Sequence, residues 1–439
     1  MSISKHIVEH IALGIYNGGP NVFTIGPGGQ FSTLADAITA RNLVTHTTLL
    51  TMTASTDTST FKGLQYIKED AGGTQLSAYL GQHIGFRQGT SATNPTTRGV
   101  VIYDGTSYYI KTHYPLSAAL TSAAIYVQRP APCTFLFMPG TYLSISSQQT
   151  IPAWTTLRAL VPRTAQLWGS AIDTNLLYIP TNGNEIHFDG LVIGQYMDSG
   201  TSVITHPIHV SAPVNRGVLF DCSIRNCVLS SQSNDIIFFD YGLHGGWTIE
   251  NNDISGKEDV LRFTQGRRLS VMGNRISVSS AGVSCTGLVV NGMTTTPSTY
   301  SPQDVLVENN AINIYGQDQA SSSIFVNGIA FRASLASQLL AKIQGNIIKI
   351  TLDGSGLGAT QTSNAIGIET TNDLGGTGVP QIFVTDNTFD VQITNATTPG
   401  SKHLGLSANA NYVIQHAGNT VVSGGTTTWG ANTAAATVS

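Results

Sequence analysis

One short unit recurs through the second half of the chain: an apolar residue, any residue, Asn or Gly, then Asn, any residue and an apolar residue. It reads IENNDIS around Asn252, VMGNRIS around Asn274, VENNAIN around Asn310, IQGNIIK around Asn346, VTDNTFD around Asn387 and IQHAGNTVV around Asn419. Successive Asn residues are 22, 36, 36, 41 and 32 positions apart. A unit that recurs while its spacing varies is what a solenoid produces when loops of different length are inserted between its strands. Two earlier segments, FDCSIRN around Cys222 and FDGLVIG around Gly190, read as degenerate copies in which the Asn is replaced.

The residues around each Asn alternate. Val305, Val307, Ile312 and Ile314 flank Asn310, and Ile343, Ile347, Ile348 and Ile350 flank Asn346, which predicts short strands with an inward apolar face. Strands of three to five residues cannot bury that face alone, but copies stacked about 4.8 Å apart form a continuous core. Identical residues then lie above one another. An Asn repeated once per coil can hydrogen-bond along the stack through its amide and satisfy a bend that would otherwise leave backbone groups unpaired. Asn252, Asn274, Asn310, Asn346, Asn387 and Asn419 are therefore expected to form a structural ladder.

Composition agrees with an all-β rod. Only 10% of the 439 residues are charged, and Gly reaches 46, whereas about a quarter of a typical soluble domain is charged. A polar but uncharged surface suits outward strand faces of Thr, Ser and Asn with Gly at turns. The formal net charge of -4 and the absence of a basic stripe argue against a nucleic-acid partner. At the start of the chain Glu9 and His10 interrupt the apolar run, so no secretory signal is read there. No apolar run reaches the roughly 18 residues of a membrane span, and no membrane insertion is expected. Cys133, Cys222, Cys227 and Cys285 sit in apolar or β-patterned segments, which favours buried free thiols.

The NN-x-I and G-N-x-I units resemble the repeats of the pectin-lyase-like superfamily of right-handed parallel β-helices. GPGGQFSTLADAITA, residues 26–40, resembles that family's N-terminal capping helix, and FLFMPGTYLSI, residues 135–145, its first strand pair. Thr33 and Asp36 make a capping box, and Phe31, Leu34, Ala35 and Ile38 are expected to form the face that plugs the core. One departure stands out: roughly ninety residues separate helix and first strand. They contain GVVIYDGTSYYIKTHY, in which Asp104-Gly105 marks a hairpin turn, and they read as an inserted small β-rich domain. The expected organisation is an attachment segment at 1–25, the capping helix at 26–43, the insert at 44–132, the β-helix at 133–428 and a tail at 429–439.

The resemblance implies a bacteriophage virion structural protein, a tailspike, fibre or capsid decoration, made in the host cytoplasm and carried on the virion. It further implies a homotrimer, contacts with other capsid or tail proteins, and host surface polysaccharide as a ligand. The alternative it leaves open is a polysaccharide depolymerase, hydrolase or lyase, acting on capsule or O-antigen.

Charge is concentrated between Asp235 and Arg268 in a chain that otherwise avoids it. Polysaccharide cleavage needs paired carboxylates, or a cation-bound uronate with a neighbouring base, so Asp235, Asp240, Glu258, Asp259 and Arg262 are the catalytic candidates. The competing reading is a set of surface ion pairs between coils. Glu258 and Arg262 share strand parity, whereas Asp235 and Asp240 do not. Tyr241 and Trp247 lie nearby and are candidates for stacking on sugar rings. Of Phe238 and Phe239, neighbours on one strand, one must face outward. His6 and His10 with Glu9 match an H-x-x-E-H spacing but have no third ligand, and are read as part of an amphipathic docking helix. His206-Pro207-Ile208-His209 is unpersuasive as a metal pair because proline breaks the geometry. No metal and no cofactor are expected.

Overall fold

The computed structural model describes residues 22–438 apart from the segments 46–47, 58–64, 71–73, 82, 89–95, 113–118, 129–132, 170–174, 181–184, 196–205, 212–220, 232–234, 240–245, 265–267, 292–302, 318–323, 333–338, 356–363, 372–380, 395–401, 409–412, 423–429 and 432–436. From Cys133 onward the chain repeats one circuit of three strands, and each strand pairs in parallel with its equivalent one circuit later. The result is three stacked sheets. The first has twelve strands, from Val22–Ile25 and Cys133–Phe137 to Thr437–Val438. The second has ten, from Tyr142–Ile145 to Thr420–Val421, and the third has ten, from Gln149–Thr150 to Gly430–Ala431. This is a parallel β-helix, right-handed as crossovers between parallel strands are.

Register explains the core. In the first sheet Phe135, Leu157, Phe188, Ile224, Ile249, Val271, Val307, Ile343 and Val384 lie directly above one another. All nine are fully buried. Each such side chain contributes roughly 1.5–3 kcal/mol on burial, so a strand too short to be stable alone gains its stability from the coils above and below.

The bend between first and second sheets carries the sequence unit. Its first position is left-handed in coil after coil: Gly190, Asn226, Asn251, Gly273, Asn309, Gly345, Asp386 and Gly418 have φ between 56° and 70°. That conformation is open to Gly and tolerated by Asn and Asp, which is why the unit reads Asn or Gly there. The next residue points inward. Asn252, Asn274, Asn310, Asn346 and Asn387 each donate an amide N–H from Nδ2 to the Oδ1 of the Asn one coil on, at 2.9–3.0 Å. The same Oδ1 atoms accept from the preceding Asn's backbone N–H. Nδ2 also donates to a backbone carbonyl of the preceding coil, for instance Asn310 to Val271 at 2.8 Å. Cys227 occupies the ladder position one coil before Asn252, and its backbone N–H donates to Asn252 Oδ1 at 2.8 Å.

A helix, Leu34–Thr45, packs on the first coils. Its N-terminus is capped by Thr33, whose hydroxyl accepts from the Asp36 N–H at 3.1 Å and donates to the Asp36 carboxylate at 2.6 Å. Leu34 and Ala37 are buried in the rod's core, with Phe31 and Ile38 packed beside them. Ala35, expected on that face, is exposed: the face follows the 3.6-residue period through positions 34, 37, 38 and 41. Arg41 ends it, donating to the Ala153 carbonyl at 2.7 Å. Val22–Ile25, expected to belong to an attachment segment, pairs with Thr134–Phe137 and so begins the first sheet. The rod also continues past residue 428, where Gly430–Ala431 and Thr437–Val438 still pair with the coil before them.

Between helix and first full coil, strands between Thr48 and Gln128 close a six-stranded antiparallel barrel. It has its own core, including Met52, Ile67, Ile84, Phe86, Val101, Ile110, Ile125 and Val127, distinct from that of the rod. The turn at Asp104-Gly105 joins two of its strands. Asp104 Oδ1 accepts from the Thr106 and Ser107 N–H groups at 2.8 and 2.7 Å, which holds its carboxyl below the usual range. All four cysteines are buried and in no disulfide.

Candidate functional site

On the third sheet and in the turns that lead into it, polar and aromatic groups form two neighbouring columns. Tyr178, His209, Phe238 and Arg262 stand in register on successive strands. Three positions earlier, in the turn just before each of these strands, come Asn175, His206, Asp235 and Asp259. Because strand positions repeat every coil, each residue faces its neighbours at about 4.8 Å.

The contacts are specific. The His206 ring stacks on Phe238, with centroids 4.4 Å apart and planes at 11°. His206 Nδ1 lies 3.1 Å from the Asp235 carbonyl oxygen, which can only accept, so that nitrogen carries the proton. On the other side of Phe238 the Arg262 guanidinium sits 5.7 Å from the ring centroid. Arg262 donates from Nη2 to Asp259 Oδ2 at 2.5 Å, and its Nε lies 3.4 Å from Asp235 Oδ2. Arg332 approaches Asp259 from two coils further on, at 4.0 Å.

Asp235 is the unusual group. Its side chain is 6% exposed, and burial pushes its carboxyl up to about 7, with Asp259 and Glu258 adding to the rise while Arg262 and Arg332 oppose it. Glu258 is raised as well, by burial and then by Asp259. A carboxyl that holds its proton near neutrality beside a second carboxyl, one coil away and paired with arginine, has the makings of an acid–base pair. Among the described residues no group of three or more His, Cys, Asp or Glu is placed to hold a metal ion.

Of the sequence-derived candidates, Asp235, Asp259 and Arg262 come together. Glu258 is close enough to influence Asp235, and the Arg262 charge acts on Glu258 in turn. The second-sheet strand ends at Gly256 and the third-sheet strand starts at Leu261, so strand parity does not carry across the turn between them. Asp240 and Tyr241, like His6, Glu9 and His10, lie outside the described residues. Trp247 corrects the expectation of a sugar-stacking ring. It is 2% exposed and faces the core from the first sheet, edge-on to Phe239 at 4.9 Å. Phe238 is the outward member of its pair and Phe239 the buried one. Sequence reasoning passed over Tyr178, Asn175 and Arg332, and set aside His206 and His209. Only strand register places these residues beside Asp235.

No known protein family matches the sequence, and no curated protein matches it. Solved structures do. The tailspike protein gp49 from Pseudomonas phage LKA1 is 10% identical, covers 90% of this chain and 67% of its own, and has a TM-score of 0.33. Tailspike protein 2 from Escherichia coli O157:H7 bacteriophage CAB120 is 13% identical over 76% of this chain and 49% of its own, with a TM-score of 0.29. The catalytic domain of a GH87 alpha-1,3-glucanase, in complex with nigerose, is 9% identical over 86% of this chain and 90% of its own, with a TM-score of 0.26. This chain thus spans two thirds of the first tailspike and about half of the second. The three sheets themselves establish the fold, and at such scores no residue correspondence follows.

Proposed function

We propose that the protein is a bacteriophage virion structural protein, a β-helical surface spike that meets host surface polysaccharide along the outer face of its third sheet. The observation that carries this reading is the strip itself: rings, imidazoles, carboxyls and a guanidinium set in register on a rigid rod. Aromatic faces with a few convergent polar groups are how proteins hold sugars. Four cysteines that are all buried and in no disulfide suit assembly in a reducing cytoplasm. The rod is proposed to act as a homotrimer, in which side-by-side packing would cover exposed apolar residues of the first and second sheets such as Leu340 and Ile347. Other virion proteins are its proposed partners at the attachment end.

Mass spectrometry of purified particles tests the reading. The chain is expected among virion proteins, and its absence there ends the proposal. Light scattering tests the assembly, where a trimer mass is expected and a monomer mass at working concentration refutes it. A second reading, a polysaccharide depolymerase, is favoured by the buried Asp235 carboxyl beside Asp259 and is tested by new reducing ends or unsaturated uronates released from host polysaccharide.

A further inference from the structure

We infer that Ser223 and His187, side by side on the outer face of the first sheet, form a nucleophile–base pair that hydrolyses short-chain carboxylic esters. The inference goes beyond the reading above and concerns a different face of the rod.

Register makes the pair. His187 and Ser223 stand directly opposite each other on neighbouring parallel strands, in an outward column that runs Thr156, His187, Ser223, Thr248, Ser270. Ile186, Phe188, Cys222 and Ile224, which alternate with them, lie in the core, so both side chains point away from it. Thr and Ser are common on outward strand faces, and the histidine is the exception among these five. His187 Nδ1 lies 2.9 Å from Ser223 Oγ, within the reach at which an imidazole takes up a hydroxyl proton. With the hydroxyl donating, Nδ1 accepts and Nε2 carries the ring proton.

Three charged side chains act on the imidazole. Burial is the largest influence and holds the His187 pKa below its ordinary value; the Glu185 carboxylate opposes it, the Arg225 guanidinium adds to it, and Asp221 opposes it. The ring is therefore neutral at pH 7 and able to act as a base, and the two acids favour the imidazolium that forms during reaction. Glu185 and Asp221 stand two positions before His187 and Ser223, and each holds left-handed backbone at φ +53°. Gly246 adopts the same conformation at this bend one coil on, where the missing Cβ makes it easy. Acidic residues kept in strained backbone gather at functional sites. Arg225 lies two positions after Ser223 on the same outward face, with Nε 3.3 Å from Glu250 and half of its side chain exposed. It supplies the positive charge that an oxyanion at the acyl carbon would meet.

The face also sets the substrate class. Both strands have a parallel neighbour on each side, so their backbone N–H groups are committed to the ladder and do not cradle an oxyanion. A single guanidinium suits an ester, whose alcohol leaves more readily than the amine of an amide. Ser223 is 7% exposed, with neighbours about 4.8 Å to either side, which admits a short acyl group and excludes a long one.

In the reaction Ser223 Oγ bonds to the acyl carbon while its proton passes to His187 Nδ1. The ester C–O bond then breaks, and the leaving alkoxide takes the proton from His187. Water attacks the acyl-serine in turn, giving one proton to Nδ1; the acyl–Oγ bond breaks, Ser223 regains its proton and the carboxylic acid departs. One water is consumed for each ester. Ser223 and His187 are the catalytic residues, and Glu185 is a positioning residue.

The test uses the full chain with 4-nitrophenyl acetate and 4-nitrophenyl octanoate. Turnover of the acetate is expected, faster than that of the octanoate. Ser223→Ala and His187→Gln should each lower kcat/KM by about 10²–10⁴-fold, whereas Ser270→Ala, in the same column but without a histidine neighbour, should match the parent. Glu185→Gln should move the acid limb of the pH profile to lower pH, since it removes a charge that raises His187. A fluorophosphonate probe on the parent should label Ser223, mapped by peptide mass spectrometry, which decides the matter even if a variant fails to fold. No turnover of the acetate, no label at Ser223, or undiminished turnover by Ser223→Ala would each overturn the inference; a preference for the octanoate would overturn the short-chain assignment, and an unmoved limb would remove Glu185 from the site.

Discussion

Replacing Asn310 by alanine removes one rung from the middle of the amide ladder, and the structure gives the size of the loss. Asn310 Oδ1 accepts from the Asn274 backbone N–H and from Asn274 Nδ2, both at 2.9 Å. Its Nδ2 donates to the Val271 carbonyl at 2.8 Å, to Asn346 Oδ1 at 2.9 Å and to the Glu308 carbonyl at 3.1 Å. Some partners keep a second bond: Asn274 Nδ2 still reaches the Ile249 carbonyl, Asn346 Oδ1 still accepts from the residue 310 N–H, and the Glu308 carbonyl still accepts from the Gly273 N–H. The Asn274 N–H loses its acceptor inside the core. An orphaned buried donor costs about 1–3 kcal/mol and each further lost bond about 0.5–1.5 kcal/mol net, so Asn310→Ala should destabilise by roughly 3–5 kcal/mol. Asn419→Ala removes a rung at the half-exposed end, where water can substitute, and should cost only about 1 kcal/mol. Guanidinium unfolding followed by circular dichroism measures both, and hydrogen exchange at the Asn274 amide locates the damage. If Asn310→Ala came within about 0.5 kcal/mol of the parent, or no worse than Asn419→Ala, the ladder would not be what fastens the bend.

Three further outcomes follow from particular residues. Because the folded state raises the Asp235 pKa to about 7 from an ordinary 3.8, the protonated form is the one folding favours; its contribution is complete below about pH 4 and is lost as pH rises through 7. Relative to Asp235→Asn, the parent should therefore lose stability across that window by on the order of 4 kcal/mol at most, read from melts at a series of pH values; a pH-independent difference would refute it. Cys227→Asn should lengthen the ladder by one rung and raise stability by about 1 kcal/mol, since the position already donates its N–H to Asn252; a lowered melting temperature would contradict this. Gly345→Ala places a Cβ 2.5 Å from Asn309 Oδ1 at a φ of +65°, and should cost at least about 1–2 kcal/mol in the same melts.

What could be read from the sequence, and what could not, follows from how strictly each position is constrained. The bend makes two chemical demands per coil, a left-handed residue and an inward amide. Only Gly, Asn or Asp meets the first, and Asn alone meets the second in full. The unit therefore shows through spacings that vary widely, and with it the β-helix. Where Cys227 or Leu191 holds the second position, the copy fades. Third-sheet strands ask only for an apolar inward residue, and loops of unequal length separate them, so no fixed spacing marks Tyr178, His209, Phe238 and Arg262 as neighbours. Asn175, His206, Asp235 and Asp259 share a column but not a chemistry, and leave no repeat to find. In sequence Trp247 reads as a surface ring because carboxylates surround it, whereas its register with Cys222 and Leu269 turns it inward. On the cap helix, Ala35 and Ala37 are equally apolar, and only the contact with the coil below distinguishes them.

The central claim, a β-helical spike carried on the virion, is tested most directly by electron micrographs of purified phage particles labelled with antibody against the inserted barrel. The account predicts label at regular positions on the particle surface. Unlabelled particles, with the chain recovered only from the host-cell fraction, would contradict it.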